Sequence, residues 1–92
     1  MKIITLATEG LSDDFAQAKK LADALAREIL GENLCLAYYD GERDIKSPSH
    51  VECHDCPTQP GYADYAISRG AELRVLINTP RFDFYFMAFV VG

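Results

Sequence analysis

"SDDFAQAKKLADALAREILG", residues 12 to 31, decides the fold. Within it Phe15, Ala18, Ala22, Leu25 and Ile29 recur at spacings of three and four, which gathers them on one face of an α-helix. Gln17, Lys20, Asp23, Arg27 and Glu28 fall largely on the opposite side. Ser12 stands where an N-cap belongs, and Asp13 and Asp14 occupy the first turn, where carboxylates favour the positive helix end. Gly31 supplies the stop. The spacing predicts a helix over about 13–30 with one side to bury.

An apolar helix stripe needs another layer to cover it, and the flanking segments supply strands. "KIITLAT", 2 to 8, is β-branched and apolar, as a strand covered at least partly on both faces would be, and Glu9-Gly10 ends it. "NLCLAYY", 33 to 39, is the second strand. It closes a β-α-β unit whose two strands are expected to be parallel, with a right-handed crossover. Asp40-Gly41 signals a hairpin-type turn, and "ERDIKSPSHVE", 42 to 52, holds a short edge strand interrupted at Pro48.

A second, shorter helix is expected over roughly 61–69, with Tyr62, Tyr65 and Ala66 inward and Gly70 as its cap. "LRVLINT", 73 to 79, reads as a strand, residues 78 to 81 turn the chain, and "FDFYFMAFV", 82 to 90, returns as a final antiparallel strand. The order is β-α-β-(β)-α-β-β in one domain, 1–92. That is an α+β fold, expected as a two-layer α/β sandwich with both helices on one face of a mixed sheet. It resembles the ferredoxin-like topology with an extra C-terminal antiparallel strand, a likeness that implies arrangement and no function.

Composition narrows the class of function. Charged residues make up 25% of the chain and hydrophobic ones 49%, the balance of a folded domain. A net charge of -5, with nine basic residues scattered along the chain, argues against nucleic-acid binding, which needs Lys and Arg on one face. No stretch has the length to span a membrane. Three cysteines, an odd number, fit a reducing cytoplasm better than a secreted disulfide scaffold.

Two segments carry chemistry. "HVECHDCP", 50 to 57, places His50, Cys53, His54 and Cys56 within seven positions, and Cys53 to Cys56 is a C-x-x-C. Two intervening residues let both sulfurs turn to one Zn or Fe, so a metal site or a thiol-redox pair is one reading. Against it, adjacent Cys53 and His54 reach one metal only with a strained backbone, and the chain has no second C-x-x-C. Pro57 stands where a c-type haem would need its axial His. The plain reading, a surface loop, outweighs both.

The other segment is the final strand. Alternation places Phe82, Phe84, Phe86 and Ala88 on one face and Arg81, Asp83, Tyr85, Met87 and Phe89 on the other. If the helices cover the first face, Tyr85, Met87 and Phe89 form an apolar patch, expected to serve a homodimer or to hold a small-molecule or protein ligand. The competing expectation has the 41–60 segment covering that patch. Cys35, between Leu34 and Leu36, reads as a small core residue. There is no G-x-G-x-x-G, and Asp40, Glu42 and Asp44 read as a solvated hairpin tip. No nucleophile, base and oxyanion donors assemble from these residues, so the expectation is a non-enzymatic binding or assembly module, with metal or thiol chemistry at 50–56 as the alternative.

Overall fold

A computed structural model describes residues 1–10, 13–48 and 61–89 of the chain. The elements follow in the order β1 (Lys2–Leu6), α1 (Phe15–Leu30), β2 (Asn33–Asp40), β3 (Ile45–Ser47), α2 (Gly61–Ser68), β4 (Leu73–Ile77) and β5 (Phe82–Ala88). Each strand and helix expected from the sequence is present, including the short edge strand β3.

The start of α1 differs in detail. Asp14, not Ser12, caps it: its backbone is extended and its Oδ1 accepts the Gln17 N–H at 2.8 Å. Ser12 itself lies outside the described residues. Asp13 is not in the first turn but is drawn across to the far end of the sheet, where its Oδ1 accepts from Asn78 Nδ2 at 2.9 Å. At the other end Gly31, at φ 75°, donates its N–H to Arg27 O at 2.9 Å, the stop that the sequence implied.

One five-stranded sheet runs in the order β1-β4-β5-β2-β3. β1 pairs parallel to β4; the β4–β5, β5–β2 and β2–β3 pairings are antiparallel. This corrects the expected β-α-β unit. β1 and β2 do run in the same direction, but β4 and β5 lie between them. The physical reason sits in β4 and β5: Leu73, Val75, Ile77, Phe82, Phe84 and Phe86 are each no more than 1% exposed, and only central strands offer that burial.

The helices lie on opposite faces of the sheet, so neither the two-layer expectation nor the ferredoxin-like placement of both helices on one face describes this chain. Under α1, the alanine stripe Ala18, Ala22 and Ala26 packs on Leu73, Val75, Ile77, Phe82, Phe84 and Phe86. Small residues on the helix give room for large ones on the strands, and each fully buried phenylalanine contributes about 2 kcal/mol. Phe15 closes the top of this core, 5.0 Å from the Tyr38 ring and 5.8 Å from that of Phe84. Across the sheet, Tyr62, Ala63 and Ala66 of α2 cover Ala37 and Tyr85. A bulge between Cys35 and Ala37 lets β2 serve both sides, with Cys35 and Tyr38 towards α1 and Leu36, Ala37 and Tyr39 towards α2. The sequence held the sign of this: β5 is apolar on both faces, and one helical layer covers only one.

Candidate functional site

His50, Cys53, His54 and Cys56 lie outside the described residues. Among the described residues no group of three or more His, Cys, Asp or Glu side chains is placed to hold a metal ion. The elements on either side of that segment are well defined: Ser47 of β3 pairs with Tyr38, and Tyr62, beside the start of α2, stacks on Tyr39 at 6.1 Å. Cys35 is half-buried on the α1 side with its thiol 3.7 Å from Ala37 O, and burial pushes that thiol's pKa up.

The expected aromatic patch is divided. Tyr85 is 1% exposed beneath α2 and is no part of any surface. Met87 is half-buried and Phe89 is 52% exposed, where it lines an open cleft of about 560 Å³ with Arg27, Gly31, Glu32 and Asn33. Tyr85 is covered by α2, because Tyr62 and Ala63 sit directly on the Tyr85 side of β5, while residues 49–60 of the segment expected to cover it lie outside the described residues.

Beneath α2 lies a polar group that pattern reasoning missed. Asp83, 3% exposed, accepts Arg74 Nε at 3.0 Å on one oxygen, and Arg74 Nη2 at 2.8 Å and the Tyr62 hydroxyl at 2.9 Å on the other. Arg74 also lies over the Tyr85 ring at 5.2 Å. Burial and the Asp83 charge hold the Tyr62 hydroxyl well above its usual range and push Tyr85 up to about 12. Hydrogen bonding to Asp83 holds Arg74 more firmly protonated than usual. The group ties β4, β5 and α2 together, and three donors satisfy the carboxylate. Its sequence signal was the lone Asp between Phe82 and Phe84, a charge where an apolar residue was due.

The ends of β1 and β4 carry a second polar group. Thr8 N–H donates to Asn78 Oδ1 at 2.9 Å, and Asn78 Nδ2 returns a bond to Thr8 Oγ1 at 2.7 Å. Arg81 Nε lies 2.7 Å from Asp13 Oδ2, an ion pair by distance without a well-aligned hydrogen bond, and Arg81 Nη2 donates to Asp13 O at 3.2 Å. Nearby, fully buried Asp40 accepts from the Glu42 and Arg43 amides and from Arg43 Nε, which shapes the turn after β2. These groups bind one another and act as internal ties.

The sheet's two edges differ. β3 is three residues long, carries exposed Lys46 and is followed by Pro48, all features that discourage strand addition. β1 has five residues with no proline and no acidic residue among them, and among the described residues it pairs on one side only. Lys2 N–H points to Glu72 O and Leu6 O accepts from the Asn78 N–H, so alternate residues Lys2, Ile4 and Leu6 face β4 with their backbone. The backbone groups of Ile3 and Thr5 therefore face outward. Their side chains lie on the side away from α1, where α2 packs mainly on β2 and β5 and leaves β1 open. Ile3 is 55% exposed there, opposite Arg74 of β4, and partly buried Leu76 stands opposite Thr5.

Together these features define a small α+β domain: a mixed sheet between two helices, with internal polar ties and an apolar edge at β1 that is open among the described residues. The chain belongs to the family described as a domain of unknown function, DUF5619, whose model matches residues 1–86. It is also similar to the AF1514 protein of Archeoglobus fulgidus, known from a crystal structure and described as novel and without a family model. That likeness has 27% sequence identity and a TM-score of 0.74, over 100% of this chain and 99% of the other. No curated protein matches the chain. Among the described residues, no helix is long and apolar enough to cross a membrane.

Proposed function

We propose that this domain is a non-enzymatic binding and assembly module that takes up a further strand along its β1 edge. The observation that carries the reading is the asymmetry of the two edges. β3 has the short length, lysine and proline that block pairing, whereas the outward backbone groups of Ile3 and Thr5 in β1 have no strand partner among the described residues, and the Ile3 side chain is exposed. A strand added there gains main-chain hydrogen bonds and covers Ile3 together with the open part of the sheet. The final aromatic strand contributes by rigidity: with Tyr85 locked beneath α2, the sheet that carries β1 is a stiff platform.

The test is native mass spectrometry of the purified chain against an Ile3→Lys variant. Ile3 is 55% exposed, so the substitution spares the core. The reading expects wild-type oligomers that the lysine reduces to monomer. Oligomers indifferent to Ile3→Lys, or a wild type that is monomeric throughout, would contradict it.

A further inference from the structure

We infer that the strand added at β1 is β1 of a second copy, antiparallel about a two-fold axis at Ile4, which joins two five-stranded sheets into one. This rests on the assembly reading above and specifies its partner.

Charge selects both the edge and the direction. The chain is acidic overall, with fourteen Asp and Glu against nine Lys and Arg, so two copies repel across most of their surfaces. β1 contains no acid and a single base, Lys2. Joining copies at β3 about its central residue would instead set Lys46 against Lys46 of the other copy. Antiparallel pairing about Ile4 sets Lys2 of each copy opposite Leu6 of the other and keeps the two lysines apart, whereas parallel pairing in register would align Lys2 with Lys2.

Backbone geometry selects the register. Only Ile3 and Thr5 of β1 turn their amide and carbonyl groups outward, so these two must form the hydrogen-bonded pairs. A two-fold at Ile4 pairs Ile3 with Thr5 of the second copy and Thr5 with its Ile3, giving roughly four inter-chain hydrogen bonds. Ile4 then faces Ile4 in a non-hydrogen-bonded pair, the closer kind. On the open face, Ile3 and Thr5 form β-branched cross-strand pairs, and no like charges stand directly opposite. The interface is isologous and closes as a dimer rather than growing into a fibre.

Two sets of variants test it. With Cys35, Cys53 and Cys56 changed to Ser, Ile4→Cys is expected to form an inter-chain disulfide on mild oxidation, because facing non-hydrogen-bonded Cα atoms stand within disulfide range, while Thr5→Cys alone is not. The second set keeps the native cysteines and the core. Ile3→Lys with Thr5→Lys sets like charges opposite at two symmetric places and is expected to weaken the dimer about tenfold or more, read by sedimentation. Ile3→Lys with Thr5→Glu turns both into opposite-charge pairs and is expected to restore it.

Equal dissociation of both charge variants, or a disulfide at Thr5→Cys and none at Ile4→Cys, would overturn the register while leaving β1 as the assembly edge. A dimer insensitive to every β1 substitution would overturn both this inference and the assembly reading.

Discussion

Asp83→Ala tests the tie beneath α2. The substitution removes a carboxylate that is 3% exposed and strips Tyr62 and Arg74 of their shared acceptor. Breaking a buried ion pair by deleting one partner costs about 3–5 kcal/mol. The Arg74 side chain keeps 31% exposure and regains some water, which places the cost near the lower figure, about 3 kcal/mol. The Tyr62 hydroxyl loses a bond to a charged acceptor, worth about 1.5–3 kcal/mol by itself, but the two losses share one carboxylate and do not add. For a domain of this size, a 3 kcal/mol loss lowers the melting midpoint by roughly 12–24 °C.

The assay is urea unfolding followed by far-ultraviolet circular dichroism, with the midpoint compared at constant slope. A Tyr62→Phe variant, which leaves both Arg74 bonds in place, is expected to lose about 1.5 kcal/mol. Arg74→Met with Asp83→Leu removes both charges and keeps the volume, so it is expected to cost less than Asp83→Ala alone. The reasoning fails if Asp83→Ala stays within about 1 kcal/mol of wild type, or if the double variant is the worse of the two.

Other outcomes follow from the same geometry. Tyr62 and Tyr85 have raised folded-state pKa values, so the stability they supply is complete below their ordinary value of 10.0 and is lost as pH rises through the folded values, with Tyr85 at about 12. The urea midpoint is therefore expected to fall above about pH 10, and to fall less in Tyr62→Phe with Tyr85→Phe; equal alkaline loss in the two proteins would contradict this. Gly41 donates its N–H to Arg81 O at 2.7 Å, and a β-carbon at this position would collide with that carbonyl. Gly41→Ala is expected to cost about 1–3 kcal/mol in the same unfolding assay, and a neutral result would mean that the turn yields. Cys53→Ser with Cys56→Ser is expected to leave oligomer mass and melting midpoint unchanged, since the assembly edge lies on β1; loss of assembly in that variant would shift the function to the 50–56 segment.

Element identity was legible because periodicity reports burial. The three- and four-residue spacing of α1 and the alternation in β5 follow from which side of each element meets the core. What periodicity does not report is which strands are neighbours. β1 and β2 flank one helix, yet the full burial of Val75 and Phe84 draws β4 and β5 into the space between them. The opposite placement of the helices was foreshadowed by Tyr85 and Met87 on the second face of β5, but the same residues equally fit an exposed patch. The choice between the two depends on α2, whose Tyr62 both covers Tyr85 and donates to Asp83. The open edge was invisible for a related reason: "KIITL" reads the same in a central strand as at an edge, and only the strand order distinguishes them.

Backbone amide exchange along β1, measured residue by residue as protein concentration rises, tests the central claim most directly. The amides of Lys2, Ile4 and Leu6 point to β4 and serve as the internal reference. The account predicts that the Ile3 and Thr5 amides exchange freely in dilute protein and become protected, together and to the same degree, as the chain assembles. Ile3 and Thr5 amides that stay unprotected while the oligomer forms would contradict it, because the added strand would then lie elsewhere.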